Sequence, residues 1–100
     1  MKDYKGKKCI VRGNRSGVFY GEIVDRKGQE VELKNCRRLW YWDGANSLSD
    51  VALIGTTKPG NCKFTAEVEK LTIVDLIEFI PCTEKATKVI EGVKEWTRKK

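Results

Sequence analysis

Apolar and polar residues alternate along the first third of the chain in the manner of short β-strands. Residues 7–12 and 18–25 are rich in β-branched and aromatic side chains, and a turn cluster of glycine, asparagine and serine separates them. Residues 30–35 alternate between charged and apolar side chains, which places Val31 and Leu33 on one face. The pattern predicts an antiparallel meander of three strands.

Three later segments also have the composition of strands. Residues 37–42 follow the meander directly, and residues 63–68 are the next segment with β-favouring side chains. Residues 71–80 are apolar enough to form a strand that is buried on both faces, and Pro81 is expected to end it. The sequence therefore predicts six strands in all.

Two segments predict short helices. Ser47 or Ser49 is a suitable N-cap for a first helix, which we expect to end at Gly55. Thr83 is the expected N-cap of a C-terminal helix. The apolar residues of that second helix recur at helical spacing, at Ala86, Val89, Ile90 and Val93.

The opening meander resembles small-barrel modules of the SH3-like or Sm-like kind. The resemblance rests on residues 17–23, Gly-Val-Phe-Tyr-Gly-Glu-Ile, and on the alternating strand after Gly28. We therefore predict a mainly β fold in one domain spanning residues 1–100. The two architectures that remain open are a small antiparallel sheet and an SH3-like or Sm-like barrel, each with a short C-terminal helix.

The charge of the chain is strongly basic. It has 20 lysines and arginines against 14 aspartates and glutamates, so its formal net charge is +6. This balance favours phosphate-rich partners, including nucleic acid. No apolar stretch approaches the roughly 18 residues that span a bilayer, and no apolar signal core follows the basic start. We therefore expect a cytoplasmic protein without a membrane partner.

The four cysteines, Cys9, Cys36, Cys62 and Cys82, lie among apolar or β-favouring residues. In the cytoplasm such thiols stay reduced and pack as small hydrophobic side chains. Their spacing forms no close ligand pair, and without histidine a structural zinc site is not expected. We predict free thiols, no metal and no cofactor.

The sequence does not have the usual groups of an enzyme. Histidine is absent, and neither a Walker-type phosphate loop nor a nucleophile elbow occurs. Asp75 and Glu78 lie in an otherwise apolar segment, where a solvent-facing edge or an ion pair explains them. We therefore expect a non-enzymatic binding protein with no catalytic residues.

The densest candidate for a binding site is residues 37–47. Aromatic rings can stack on nucleobases, guanidinium groups can hold phosphates, and small polar residues offer hydrogen bonds. All three kinds occur together at Arg37, Arg38, Trp40, Tyr41, Trp42, Gly44, Asn46 and Ser47. The alternative is that the tryptophans are core rings covered by arginines.

Strand alternation divides the residues of this segment between two faces. Arg38, Trp40 and Trp42 should share one face, whereas Arg37 and Tyr41 should lie on the other. One pocket on a single face would therefore contain Arg38 and exclude Arg37, unless a second subunit contributes.

A second candidate is the basic turn at residues 12–17 together with Tyr20. Arg15 in this turn could approach an anion, and Tyr20 follows on the next strand. An ordinary hairpin turn is the alternative interpretation.

The whole chain is similar to a family of small, uncharacterised bacteriophage and prophage proteins. The matching segments are residues 3–8, 17–21, 37–42, 44–45, 47–49, 62–64 and 80–86. This resemblance implies a viral protein in the cytoplasm of a bacterial host cell, with a role against host defence.

Three functional hypotheses follow from the residues and the resemblance. The first is a homo-oligomeric sponge that sequesters an anionic nucleotide, such as a cyclic nucleotide signal. The second is a small-barrel nucleic-acid-binding module. The third is an inhibitor that blocks a host defence complex, as anti-CRISPR proteins do.

Overall fold

The structure, a computed structural model, describes residues 4–97. Its elements in chain order are β1 (Lys8–Gly13), β2 (Val18–Lys27), β3 (Glu30–Tyr41), α1 (Leu48–Ile54), a 3-10 turn (Pro59–Asn61), β4 (Lys63–Phe64), β5 (Val68–Ile73), β6 (Leu76–Pro81) and α2 (Glu84–Gly92). The fold is mainly β, with an antiparallel sheet and a C-terminal helix, as the sequence predicts. None of the helices in the described part is long and apolar enough to cross a membrane.

The predicted meander is confirmed, but its third strand is longer than expected. One continuous strand, β3, covers both residues 30–35 and residues 37–42 up to Tyr41. The two halves are joined by a bulge at Asn35, whose φ is 50°, and the register with β2 shifts at this point. Because the bulge changes the alternation, Leu33 and Leu39 lie in different cores.

The predicted strand at residues 71–80 was wrong in its extent. A turn at Val74 and Asp75 divides this segment between β5 and β6. Val74 is 71% exposed, which contradicts a strand buried on both faces. The reason is a contact with a distant part of the chain, because the Asp75 carboxylate accepts backbone hydrogen bonds from the β1–β2 loop and so stabilises a turn.

The sheet curls because its last two strands pair with opposite edges of the meander. β5 pairs with β3, and β6 pairs with β1, although only two residues separate β5 from β6. The curl encloses an inner core of apolar side chains from five strands. Its buried members are Cys9, Val11, Phe19, Ile23, Val31, Leu33, Cys36, Ile73 and Leu76.

A second core, the helix-side core, lies between the outer face of the sheet and the two helices. Its buried members are Ile10, Tyr20, Leu39, Val51, Ala52, Cys62, Phe64, Ala86, Ile90 and Val93. The N-caps are those predicted, because Ser47 accepts from the Asp50 amide and Thr83 accepts from the Ala86 amide. Gly55 ends α1 with a positive φ, also as predicted.

The four cysteines are free in the structure, and three of them are buried. Burial raises the pKa of Cys9 and of Cys36 to about 11. It also raises the pKa of Cys82 to about 12. These thiols therefore stay protonated at neutral pH and behave as small core side chains.

Candidate functional site

Arg38, Trp40 and Trp42 line one groove at the end of β3, but so does Leu39, which strand alternation places on the other face. The loop between β1 and β2 adds Arg15 to the same groove. This Trp40 groove has a volume of about 520 Å³. Its lining is basic, aromatic and small: Arg15, Ser16, Gly17, Val18, Arg38, Leu39, Trp40 and Trp42.

The two tryptophans of the groove differ in their surroundings. Trp40 is 65% exposed, so its ring is open to a stacking partner. Trp42 is half-buried and packs against the helix-side core. The interpretation as a core ring fits Trp42, whereas a stacking role for the exposed Trp40 stays a prediction.

Arg38 is held in the groove by two contacts from its own fold. Its guanidinium lies 4.5 Å from the centroid of the buried Phe19 ring. Its Nη1 donates to the carbonyl oxygen of Ser16 at 2.5 Å. A guanidinium has five N–H donors, so the geometry leaves donors for an anion while it fixes the plane of the group.

The loop that carries Arg15 is held by Asp75 of the β5–β6 turn. The Asp75 carboxylate accepts from the backbone N–H of Arg15 at 2.7 Å and from that of Ser16 at 3.1 Å. It also accepts from the Ser16 hydroxyl at 2.7 Å. These hydrogen bonds hold the pKa of Asp75 below its ordinary value, and the bond from the Ser16 side chain has the largest effect.

A second depression, the Trp96 cleft, adjoins the first and shares Trp40 with it. Its lining consists of Trp40, Tyr41, Lys63 and Trp96, and its volume is about 230 Å³. Tyr41 and Trp96 are both exposed. The Lys63 ammonium lies 5.4 Å from the Trp96 ring centroid, so the cleft combines aromatic rings with one cation.

Sequence reasoning missed Lys63 and Trp96 as site residues. Both side chains lie beside Trp40 only because segments that are distant in the chain pair with each other. β4 pairs with β3 through Leu39 and Phe64, and the backbone N–H of Trp96 donates to the Phe64 carbonyl at 2.9 Å. The one signal in the sequence was a tryptophan close to the basic C-terminal residues.

The structure places Arg37 and Tyr20 away from the Trp40 groove, in a third depression. This Glu91 cleft has a volume of about 410 Å³ and a mainly charged lining. It is lined by Lys8, Tyr20, Glu22, Asn35, Arg37, Ala66, Glu67, Glu91, Val93 and Glu95. Four glutamates against two cations make the cleft unfavourable for an anion.

The side chains of Arg37 and Tyr20 are bound to the protein itself. Arg37 is buried and donates to the carbonyls of Thr65, Ile90 and Phe64, at 2.8, 2.9 and 3.4 Å. The Tyr20 hydroxyl donates to Glu91 Oε2 at 2.6 Å. These contacts tie the sheet to α2.

The Tyr20 hydroxyl and Lys8 share one carboxylate oxygen of Glu91. Lys8 donates to Glu91 Oε2 at 2.7 Å, and this bond raises the pKa of Lys8. Burial, followed by the bond to Glu91, raises the pKa of Tyr20. Burial alone would raise the pKa of Glu91, but the bonds from Lys8 and Tyr20 outweigh it and lower that pKa.

Three further candidates from the sequence, Gly44, Asn46 and Ser47, do not line the Trp40 groove. Gly44 has a φ of 86°, and a Cβ there would approach the Lys58 backbone nitrogen to 2.7 Å. Ser47 is the N-cap of α1. Asn46 is exposed, and its backbone N–H donates to the Asp50 carboxylate at 3.2 Å. All three shape the loop that follows the groove.

The Trp40 groove combines an exposed aromatic ring with cationic side chains, the groups that bind an aromatic anion in other proteins. Its lining contains two guanidinium groups and no carboxylate. Within residues 4–97, no group of three or more cysteine, aspartate and glutamate side chains is arranged to hold a metal ion.

Comparison with known proteins identifies the family of the chain. Residues 6–90 match a family model described as a domain of unknown function, DUF6948. The chain belongs to the DUF6948 family. That description assigns neither an activity nor a host, so the viral setting expected from the sequence stays a prediction. No curated protein matches this DUF6948 chain, and no solved structure matches it.

The family match includes some of the candidate site residues of this DUF6948 chain and leaves out one of them. Every residue that lines the Trp40 groove lies within residues 6–90. Trp96, in the adjoining cleft, lies outside the matched segment.

Proposed function

We propose that this protein binds a nucleotide in the Trp40 groove and performs no reaction on it. The observation that carries the proposal is the joining of an exposed Trp40 ring with Arg38 and Arg15 in a groove whose lining has no carboxylate. The groove, at about 520 Å³, falls within the range of roughly 300–1,000 Å³ that is usual for small-molecule sites. A nucleotide offers both a base for the ring and a phosphate for the guanidinium groups.

Each of these three residues has a defined part in binding. The nucleobase stacks on the exposed face of Trp40. Arg38 donates hydrogen bonds to the phosphate from a guanidinium that Phe19 and Ser16 already hold in place. Arg15 is exposed at the rim and adds a second positive charge.

The biological setting that we propose comes from the resemblance to phage and prophage proteins. In that setting the protein is a counter-defence sponge in the cytoplasm of the bacterial host, and it sequesters a cyclic nucleotide signal. A homo-oligomer is part of the proposal, and sedimentation analysis of the purified protein measures it directly.

The test is calorimetric titration of the protein with mononucleotides, cyclic nucleotides, cyclic dinucleotides and cyclic ADP-ribose isomers. We expect at least one of them to bind at micromolar protein. Trp40→Ala should weaken that binding by about 5- to 150-fold, the usual contribution of one stacked base. Leu53→Ala removes an exposed apolar side chain of α1 and should leave the affinity unchanged. Absence of binding by every compound, and by oligonucleotides, would reject the proposal.

A further inference from the structure

Trp40 separates two depressions that have the same chemistry. It lines the Trp40 groove together with Arg15 and Arg38, and it lines the Trp96 cleft together with Lys63. A ring shared by two neighbouring depressions can contact one ligand on both sides. A ligand longer than one nucleotide would reach both depressions.

The Trp96 cleft is built by backbone pairing on both sides of β4. Tyr41 of β3 is the register partner of Lys63. On the other side of β4, Phe64 forms a parallel bridge with Glu95 and accepts a hydrogen bond from the Trp96 amide. This arrangement places exposed aromatic rings on both sides of the Lys63 side chain.

The sizes of the two depressions argue for a ligand of more than one unit. The Trp96 cleft, at about 230 Å³, is smaller than the roughly 300 Å³ at which complete small-molecule sites begin. It is suited to part of a ligand whose remainder lies in the larger Trp40 groove. One base in each depression, with a phosphate between them, matches this division.

The charges of the two depressions select the same kind of ligand. Arg15 and Arg38 lie in the Trp40 groove and Lys63 lies in the Trp96 cleft, whereas neither lining contains a carboxylate. Cations on both sides of an exposed ring are suited to contact a phosphodiester backbone. The bases of that strand can then stack on the aromatic side chains.

We propose that the Trp40 groove and the Trp96 cleft together bind single-stranded nucleic acid, with consecutive bases on either side of Trp40. This inference rests on the proposed nucleotide binding of the Trp40 groove and extends it to a second base. A single strand is favoured over a duplex because its unpaired bases can leave the stack and lie against aromatic side chains. Contacts between these cations and the phosphodiester backbone do not distinguish RNA from DNA.

The first experiment measures affinity against ligand length. The wild-type protein is titrated with a mononucleotide, a linear dinucleotide, longer single strands of the same base and a duplex, in RNA and DNA forms. The affinity should rise from the mononucleotide to the dinucleotide by about 5- to 150-fold, as expected for a second stacked base. The duplex should bind more weakly than the single strand of equal length.

The second experiment removes the Trp96 cleft alone. Trp96→Ala should weaken binding of the single strand by about 5- to 150-fold and leave mononucleotide binding unchanged. Trp96→Phe keeps an aromatic ring and should retain most of the affinity for the single strand. That result would show that the weaker binding of Trp96→Ala comes from loss of the ring. Lys63→Gln should reduce the slope of log affinity against log salt by about 0.7. Lys85→Gln on α2 is the matched control and should leave both slope and affinity unchanged.

The outcomes separate this inference from the proposed function. If mononucleotide and single strand bind equally, or if Trp96→Ala weakens both alike, the two-depression site is overturned and nucleotide binding in the groove remains. If a cyclic dinucleotide binds as tightly as any linear strand, the ligand is a closed dinucleotide and the assignment of a strand is overturned. If no nucleotide or oligonucleotide binds, both proposals are overturned.

Discussion

Arg38 enters the Trp40 groove with its guanidinium already held. Its contacts with the Phe19 ring and the Ser16 carbonyl restrict the side chain before a ligand arrives. A long side chain that is ordered in advance loses less conformational entropy on binding. These contacts, which are present in the free protein, therefore favour the phosphate binding that we propose for Arg38.

Arg37, the neighbouring residue, has a structural part instead. Its guanidinium reaches three backbone carbonyls and lies 5.5 Å from the centroid of the Phe64 ring. Because the side chain is buried, its loss would remove three hydrogen bonds from the interior, and the Phe64 and Ile90 carbonyls would keep only their backbone donors. Burial also lowers the pKa of Arg37, but arginine stays protonated at neutral pH.

Tyr20→Phe tests whether the Glu91 cleft serves stability rather than binding. The substitution removes the hydroxyl that donates to Glu91. We expect a loss of about 1 kcal/mol in the free energy of unfolding, since the partner carboxylate is partly exposed. That loss corresponds to roughly 4–8 °C in melting temperature. Thermal unfolding measures it, and calorimetry should show unchanged nucleotide affinity. A weakened nucleotide affinity with unchanged stability would contradict this assignment and indicate that Tyr20 contacts the ligand.

At the scale of elements, the β5–β6 turn determines the position of the β1–β2 loop. The Asp75 carboxylate binds the backbone of Arg15 and Ser16, and the Asp75 carbonyl accepts from the Asn14 amide at 2.8 Å. The turn that interrupts the predicted strand at residues 71–80 is thus also the support of one wall of the Trp40 groove.

Asp75→Asn should destabilise the protein at neutral pH and weaken nucleotide binding through the loop. Because the folded-state pKa of Asp75 is depressed, its contribution to stability is present above the ordinary value of 3.8 and is lost as the pH falls through the folded-state value. The difference in melting temperature between wild type and variant should therefore shrink on acidification. Glu69→Gln, which removes an exposed carboxylate of β5, is the control. A difference that stays constant with pH would contradict the assigned role.

Local patterns predicted most of the elements. Alternation identified β1, β2 and both halves of β3, and capping residues identified both helices. These features depend on neighbours in the chain, which a sequence displays directly. Arg38, Trp40 and Trp42 line one groove, but Leu39 lines it too, so the groove does not test the predicted division of this segment between two faces.

Features that depend on distant contacts were not predictable in the same way. The turn at Asp75 is stabilised by a loop 60 residues away in the chain. Trp96 reaches the surface next to Trp40 only because β4 lies between β3 and the C-terminal segment. Neither pairing leaves a periodic signal in the segments concerned.

At the scale of the whole molecule, the placement of charge is more informative than its total. The net charge of +6 would favour any anion. The linings differ in charge, with arginine and lysine beside the exposed aromatic rings of two depressions, and four glutamates with two cations in the Glu91 cleft. This distribution supports the proposal that an anionic ligand binds beside Trp40 rather than in the Glu91 cleft.

The central claim is that the Trp40 groove, and not the Glu91 cleft, binds the nucleotide. The most direct test is the affinity and melting temperature of Arg38→Ala beside those of Arg37→Ala. Arg38→Ala should lose about 10- to 100-fold in affinity and only about 1–2 kcal/mol in stability, from its contact with Phe19 and its hydrogen bond to Ser16. Arg37→Ala should lose about 2–4 kcal/mol in stability and keep its affinity below the melting temperature. Equal losses of stability in both variants with unchanged binding would contradict the account.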